Sequence, residues 1–185
     1  MNTQWARMAL ITFCAVTLGC TSTLKAVSGR YAYYEVVDGE VVYFSWNSMS
    51  QRYSLAVLEG ADPTTFIAIN KSHGKDASQV FKKSLPITHA DPTTFRLWSG
   101  GYAADATQVF YGRTRLEDAE LATFERLGNG WSHDARNIYL GSKRLDVCDL
   151  ATFEIIPRSR AKDDKCYYAK GQRVPIMDRA SLHAL

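Results

Sequence analysis

A 29-residue repeat constrains the fold of this chain more than any other feature of its sequence. Thr-Phe recurs four times at this spacing, with an acidic residue four positions before each phenylalanine. A second aspartate and an apolar pair keep the same register, without a gap, across residues 61–176. The phenylalanines are Phe66, Phe95, Phe124 and Phe153, and the second aspartates are Asp76, Asp105, Asp134 and Asp163. Self-similarity at such a period is typical of proteins built from stacked repeats.

Each repeat carries the signals of a capped turn followed by strands. Asp62-Pro63 and Asp91-Pro92 combine a capping carboxylate with a proline, which has no N–H donor to leave unpaired. The third residue after each phenylalanine is apolar and fits either a helical turn or a bent strand, which periodicity over so short a stretch does not decide. A polar turn, the second aspartate and a strand such as 108–111 follow. We therefore predict roughly one β-hairpin per repeat, with a short helical turn at each Asp-x-x-Thr-Phe.

The segment before the repeats has a different pattern. Apolar stretches at 31–37 and 40–46 flank Asp38-Gly39, a two-residue loop that suits the twist of a β-hairpin. We expect this hairpin to cap the stack and the polar residues 47–56 to form a loop. The predicted fold is mainly β, with four stacked repeats in one domain, residues 31–185. The repeats span 61–89, 90–118, 119–147 and 148–176, and Asp178 and Leu182 begin a fifth.

The first twenty residues predict export. Arg7 precedes an apolar run over 8–18, which is about the length of a signal-peptide core and too short to cross a bilayer. The run ends at Gly19-Cys20, which resembles a bacterial lipoprotein signal. We predict a signal peptide over 1–19, palmitate on Cys20 and a linker over 20–30. Ordinary secretion to the periplasm, with cleavage near Ala26, and a single retained membrane helix are the alternatives.

The residue after the cysteine indicates the destination of such a lipoprotein. Residue 21 is threonine rather than aspartate. By resemblance to sorted lipoproteins, this predicts anchoring in the outer membrane with the domain facing the periplasm. The membrane is then a partner through the lipid anchor, because several acyl chains hold a protein where one binds only marginally.

Two recurring motifs resemble those of the bacterial DKNYY family, named for Asp-Lys-Asn-Tyr-Tyr. Residues 60–66 carry one motif, and residues 104–111 and 133–139 carry the other. The family motif in the last repeat comprises Asp163, Asp164, Lys165, Cys166, Tyr167 and Tyr168, with cysteine in place of asparagine. The resemblance covers about residues 58–182. Members of this family are often exported and have no established catalytic residues, so the resemblance implies an exported protein and names no activity.

Two cysteines remain for a structural role. Cys14 lies in the predicted signal peptide, while Cys148 and Cys166 stand where other repeats hold alanine and glutamine or asparagine. In an oxidising compartment these two predict a disulfide that closes a loop of about 19 residues. A simple hairpin centred near Arg160 would instead place Cys166 opposite Glu154, so the spacing leaves the pairing open.

Charge and repetition exclude several functions. A net charge of +3 is too small to indicate a nucleic-acid-binding protein. Aspartates that recur in every repeat are expected to build turns, and two carboxylates per repeat fall short of the six or more oxygens that calcium takes. We therefore predict no metal and no cofactor. The histidines, which lack metal-ligand spacing, are His73, His89, His133 and His183.

The remaining hypotheses concern binding. The sequence offers no combination of nucleophile, base and orienting residue, so we predict that the protein is not an enzyme. We expect it to bind another protein, as an immunity protein or an envelope accessory protein does. The alternative is a structural or glycan-contacting envelope protein, which depends on exposed aromatic residues. For the tryptophans, we expect Trp98 to lie in the core and Trp46 and Trp131 to pack at loops.

Overall fold

The computed structural model describes residues 32–174, and an N-terminal antiparallel sheet opens this part of the chain. Its strands are β1 (Tyr33–Val37), β2 (Glu40–Asn47) and β3 (Arg52–Val57). The predicted hairpin at Asp38-Gly39 joins β1 to β2, and both turn residues have positive φ angles. The predicted signal peptide, Cys20 and the start of a fifth repeat lie outside the described residues. No helix among the described residues is long and apolar enough to cross a membrane.

Each repeat folds into its own antiparallel sheet of four short strands, in which strands adjacent in sequence pair. The first repeat contains β4 (Ile67–Asn70), β5 (His73–Lys75), β6 (Val80–Lys82) and β7 (Leu85–Pro86). The second contains β8 (Arg96–Leu97), β9 (Tyr102–Ala104), β10 (Val109–Tyr111) and β11 (Thr114–Arg115). The third contains β12 (Glu125–Gly128), β13 (Trp131–His133), β14 (Ile138–Leu140) and β15 (Lys143–Leu145). The fourth contains β16 (Glu154–Ile156), β17 (Arg160–Lys162), β18 (Tyr167–Ala169) and β19 (Gln172–Val174).

The prediction of a mainly β repeat fold is confirmed, and each repeat is a four-stranded meander that extends the predicted hairpin. Of the positions that fitted either a helical turn or a bent strand, Ile69 and Leu127 lie in strands whose pairing shifts register around them. Ile156 ends a regularly paired strand, and Trp98 lies between β8 and a 3₁₀ turn. The predicted short helical turn at each Thr-Phe pair is found only in the third repeat, where 121–123 is a 3₁₀ turn; the first, second and fourth repeats have non-helical turns there. A second 3₁₀ turn lies between β8 and β9, at 99–101.

The prediction of a loop over residues 47–56 is wrong for its second half. Strand β3 pairs with β2 from Asn47–Arg52 to Val42–Val57. Its polar residues hid an alternation of Tyr53, Leu55 and Val57, which share one face of the sheet because side chains alternate along a strand. Over six residues this two-residue period is easily missed, because the strand directly follows the mostly polar residues 47–51.

The N-terminal sheet covers the first repeat with its inner face. Tyr34, Val41 and Tyr43 pack on Phe66 and Phe81 in one buried cluster. The Tyr34 hydroxyl also donates to the Lys83 carbonyl, at 3.0 Å. This sheet is therefore the cap of the stack, and we call it the cap sheet.

The core is divided among the junctions between neighbouring repeats. At the first junction Val80 and Ile87 of one repeat pack on Phe95, Ala103 and Phe110 of the next. Equivalent clusters form at the second and third junctions. The residue eight positions after each motif phenylalanine is small, and at Gly74 any Cβ would collide with the Phe66 ring. Each repeat therefore buries its apolar side chains mainly against its neighbours, as in other repeat proteins.

Candidate functional site

A row of buried aspartates ties the two turns of each repeat together. Asp134, which is 1% exposed, accepts through Oδ1 from the backbone N–H groups of Arg136 at 2.8 Å and Asn137 at 2.7 Å. Its Oδ2 accepts from the N–H of Glu120, 14 residues earlier, at 2.9 Å. Asp76, Asp105 and Asp163 make the same three bonds in their own repeats. Backbone donors therefore occupy both oxygens of each of these carboxylates.

The threonine of the Thr-Phe pair completes the link between the turns, a role that the sequence analysis missed. Thr65 Oγ1 accepts from the N–H of Ala77, 12 residues later, at 3.2 Å. The equivalent bonds of Thr94, Thr123 and Thr152 are each 3.0 Å. Asp62 in turn accepts from the hydroxyls of Thr64 and Thr65. The signal was present, because this threonine is identical in all four repeats.

The hydrogen bonds set the protonation state of the buried aspartates. Burial acts to raise the pKa of Asp76, Asp134 and Asp163. The donated hydrogen bonds outweigh burial and hold each pKa below the ordinary value, because they stabilise the ionised form. At Asp163 the Tyr168 hydroxyl is one of the donors. Burial and this bond raise the pKa of Tyr168 to about 12.

These lowered pKa values predict that acid destabilises the domain. The unfolded chain takes up protons at higher pH than the folded chain, so the stabilisation is complete above about pH 4 and is lost as the pH falls further. We expect the melting temperature to be level from about pH 7 to pH 5 and to fall steeply below about pH 4. Asp134→Asn should flatten this fall. A melting temperature that holds down to about pH 2 would contradict the prediction.

Cys148 and Cys166 are joined by a disulfide, with their Cα atoms 6.1 Å apart. In the fourth repeat the tight turn lies at 157–159, so that Glu154 pairs with Lys162. Cys166 therefore falls in the next turn, where Asp163 binds the N–H of Asp149. The simple hairpin that argued against the bond had its centre in the wrong place.

The disulfide stands where the other repeats use a hydrogen bond. Side-chain amides at this position donate to a carbonyl 19 residues earlier. The pairs are Gln79 to Gly60 at 3.0 Å, Gln108 to His89 at 3.1 Å and Asn137 to Asp118 at 3.2 Å. In the fourth repeat, Cys166 makes a covalent link to Cys148, which directly follows Val147, the counterpart of those carbonyl residues. The asparagine missing from the family motif is therefore replaced by a cross-link of the same two turns.

Potential metal ligands converge at one place among residues 32–174. Ligand atoms of Cys148, Asp163 and Cys166 lie within 4.8 Å of one another. The disulfide leaves no thiolate there, and the Asp163 carboxylate is engaged by three N–H groups and a hydroxyl. This donor set does not suit a metal ion, since metals are bound by the thiolate form of cysteine.

The predicted positions of the tryptophans are partly corrected. Trp131 lies in strand β13 and is fully buried, so the prediction that it packs at a loop is wrong. Trp98 packs on the core, stacked on Phe124 at 5.9 Å. Trp46 lies near the end of β2, on the outer face of the cap sheet. The repeats gave no guide to the position of Trp46, because this residue precedes them and has no counterpart in them.

The outer face of the cap sheet presents aromatic and apolar side chains. The rings of Tyr33 and Phe44 stack at 4.7 Å, and Tyr53 meets Trp46 edge to face at 4.9 Å. On the same face Leu55 is 63% exposed and Val57 is 43% exposed. We call these six residues the cap face. Most isolated exposed apolar residues need no explanation, but a contiguous group on one sheet face is typical of an interaction site.

The architecture is that of a tandem β-repeat protein with a β-sheet cap. The family model of the DKNYY family matches residues 82–185, which include the end of the first repeat and all of the next three. The chain belongs to the DKNYY family, and the resemblance of the motifs is confirmed. No curated protein and no solved structure matches the chain.

Proposed function

We propose that this protein is a non-catalytic bacterial cell-envelope lipoprotein whose domain binds another protein. The cap face carries the proposal. It combines two ring pairs with two exposed aliphatic side chains, and aromatic residues in such patches supply much of the energy of protein contacts. An immunity protein or an envelope accessory protein would use such a face.

The bonding of the buried aspartates supports a non-catalytic role. In the described part of the chain the recurring carboxylates accept from backbone N–H groups fixed by the turns. A general base needs an acceptor that faces a substrate proton. Carboxylates held in this way stabilise the fold. The motif therefore recurs because each repeat needs it to fold, and not because it takes part in a reaction.

The proposed anchor places the cap sheet towards the membrane. Cys20 precedes the first described residue by 12 positions, and a fully extended segment of that length spans about 40 Å at most. The cap sheet would thus stay within about 40 Å of the outer membrane, on its periplasmic side. The partner that fits this position is an envelope protein at or near the same membrane. Palmitate labelling that is equal in wild type and Cys20→Ala would refute the anchor and leave periplasmic secretion.

The Trp46–Tyr53 pair also favours a second candidate, in which the domain contacts glycan. Aromatic rings with a polar edge can stack on sugar rings while the edge donates hydrogen bonds. Retention of the protein on peptidoglycan after detergent extraction would favour this candidate. Loss of that retention in Tyr53→Ala would assign it to the cap face.

Photo-cross-linking from the cap face tests the proposal. A photoreactive amino acid at Leu55 should give a discrete cross-linked species in living cells, which mass spectrometry of the solubilised membranes identifies. The same amino acid at Arg113, an exposed turn residue of the second repeat that belongs to neither the cap face nor the open junction, is the control and should give none. The identified partner should bind Tyr53→Glu at least about tenfold more weakly than wild type. Absence of a product at Leu55, or equal products at both positions, would refute protein binding at this face.

A further inference from the structure

A groove recurs at the junctions between repeats, and the chain fills two of the three grooves itself. At the first junction Lys75 reaches across and its Nζ donates to the Pro92 carbonyl at 2.6 Å. At the second junction the Trp98 indole lies on the Phe124 ring with an interplanar angle of 23°. The grooves are equivalent because each lies between the buried-aspartate turn of one repeat and the Thr-Phe turn of the next.

The third groove is open. Leu127 occupies the position of Trp98 and is 44% exposed instead of covering the groove. His133 occupies the position of Lys75, but its ring turns back to the Glu125 carboxylate, 3.4 Å away, and to the Asp134 carbonyl. A cavity of about 390 Å³ remains, within the range of small-ligand pockets. Its lining residues are Leu127, His133, Asp134, Ala135, Ile138, Leu150 and Phe153.

We propose that this junction pocket binds an aromatic side chain of a partner protein. The ring would lie on Phe153 as Trp98 lies on Phe124 in the preceding junction. Ile138 and Leu150 line this pocket, and their counterparts Val109 and Leu121 belong to the cluster in which Trp98 packs. The Trp98 side chain at the second junction is therefore an example, within this chain, of the aromatic group that would occupy the pocket. This inference rests on the proposed function, because it names one contact that a protein partner would make.

Charge at the pocket favours tryptophan or tyrosine over phenylalanine. At the second junction the guanidinium groups of Arg96 and Arg126 each lie 5.6 Å from the Trp98 ring centre. The equivalent positions at the third junction hold Glu125 and Ile155. The Glu125 carboxylate beside His133 offers an acceptor for an indole N–H or a phenol O–H, and an aromatic residue with such a donor is favoured at binding hot spots.

Titration with short capped peptides tests the pocket. The probes are Ac-Gly-Trp-Gly-NH₂ and Ac-Gly-Leu-Gly-NH₂, added to the isotope-labelled full mature chain while amide signals are followed by NMR. We expect the tryptophan peptide to shift the signals of Ala135, Ile138 and Phe153 with a dissociation constant of about 1 mM, and the leucine peptide to bind at least about fivefold more weakly. Equal binding of the two peptides would overturn the proposal, as would shifts that avoid these residues.

Two substitutions fill the pocket by copying the other junctions. Leu127→Trp reproduces the second junction and His133→Lys reproduces the first, so at least one of them should fold normally. Each should weaken peptide binding at least about tenfold. Ile69→Trp, the same type of change at the groove that Lys75 fills, is the matched control and should leave binding unchanged. Peptide binding that survives in a folded filled variant would overturn the proposal.

The affinity of the partner identified by cross-linking tests this inference separately from the proposed function. Weaker binding of that partner to Leu127→Trp would support the junction pocket. Equal binding of the partner to Leu127→Trp and wild type would overturn the pocket and leave protein binding through the cap face intact.

Discussion

Replacement of Asp134 by alanine is expected to lower the free energy of unfolding by about 4 kcal/mol. The change removes the acceptor of three backbone N–H groups and of the Tyr139 hydroxyl, which lies 3.2 Å from Oδ2. The three N–H groups lie in partly buried turns and lose their acceptor, and the cost of leaving them unpaired exceeds the net value of the bonds themselves. For a domain of this size, the melting temperature should fall by about 10 °C.

The exposed aspartate at position 164 supplies the control for this measurement. Asp164→Ala removes the same charge from a turn of the fourth repeat where the side chain faces solvent, and should change stability by less than about 0.5 kcal/mol. Asp134→Asn keeps an acceptor for part of the set and should fall between the two. Chemical denaturation of the three variants gives the comparison. Equal losses in Asp134→Ala and Asp164→Ala would show that the buried carboxylate does not hold the turns.

Removal of the Cys148–Cys166 disulfide is expected to cost about 3 kcal/mol when both residues become alanine. The bond closes a loop of 19 residues, from 148 to 166, and so restricts the unfolded chain. The fourth repeat lies farthest from the cap sheet among the described repeats, so part of the loss should appear as early exchange of the β16–β19 amides. Hydrogen exchange measured with and without a reducing agent in the wild type tests the same effect.

A second double variant separates the cross-link from the hydrogen bond that it replaces. Cys148→Ala with Cys166→Asn restores the residue types of the third repeat, in which Asn137 bridges to the Asp118 carbonyl. We expect this variant to be about 1 kcal/mol more stable than the double alanine variant, which is the usual net value of one hydrogen bond. Identical stability of the two double variants would refute the equivalence of amide bridge and disulfide.

The architecture was predictable because the repeat extends over most of the chain. Register over 116 residues, from 61 to 176, indicated stacked β units and identified the structural aspartates. The number of strands was not predictable, because strands of two to four residues are too short to show a two-residue period. Strand β3, which has six residues, was hidden instead by the polar residues that precede it.

The features that were not predicted depend on tertiary contacts. The sequence marked Asp134 as a turn residue, but the bond to Glu120 exists because the two turns meet in space. The geometric doubt about the disulfide came from placing one tight turn a few residues too late. The open junction depends on the side-chain directions of Leu127 and His133, which spacing does not encode.

The short reach of the aspartate bonds has a consequence for how the chain folds. Among residues 32–174 each strand pairs with a strand next to it in sequence, and each buried carboxylate reaches back 14 residues. Most all-β proteins fold slowly because segments that are distant in sequence must meet, at a cost in chain entropy, before they form stabilising contacts. Here small loops close first, so folding can begin in any repeat and spread to its neighbours. The chain should therefore fold at rates closer to those of helical bundles than to those of β-sandwiches.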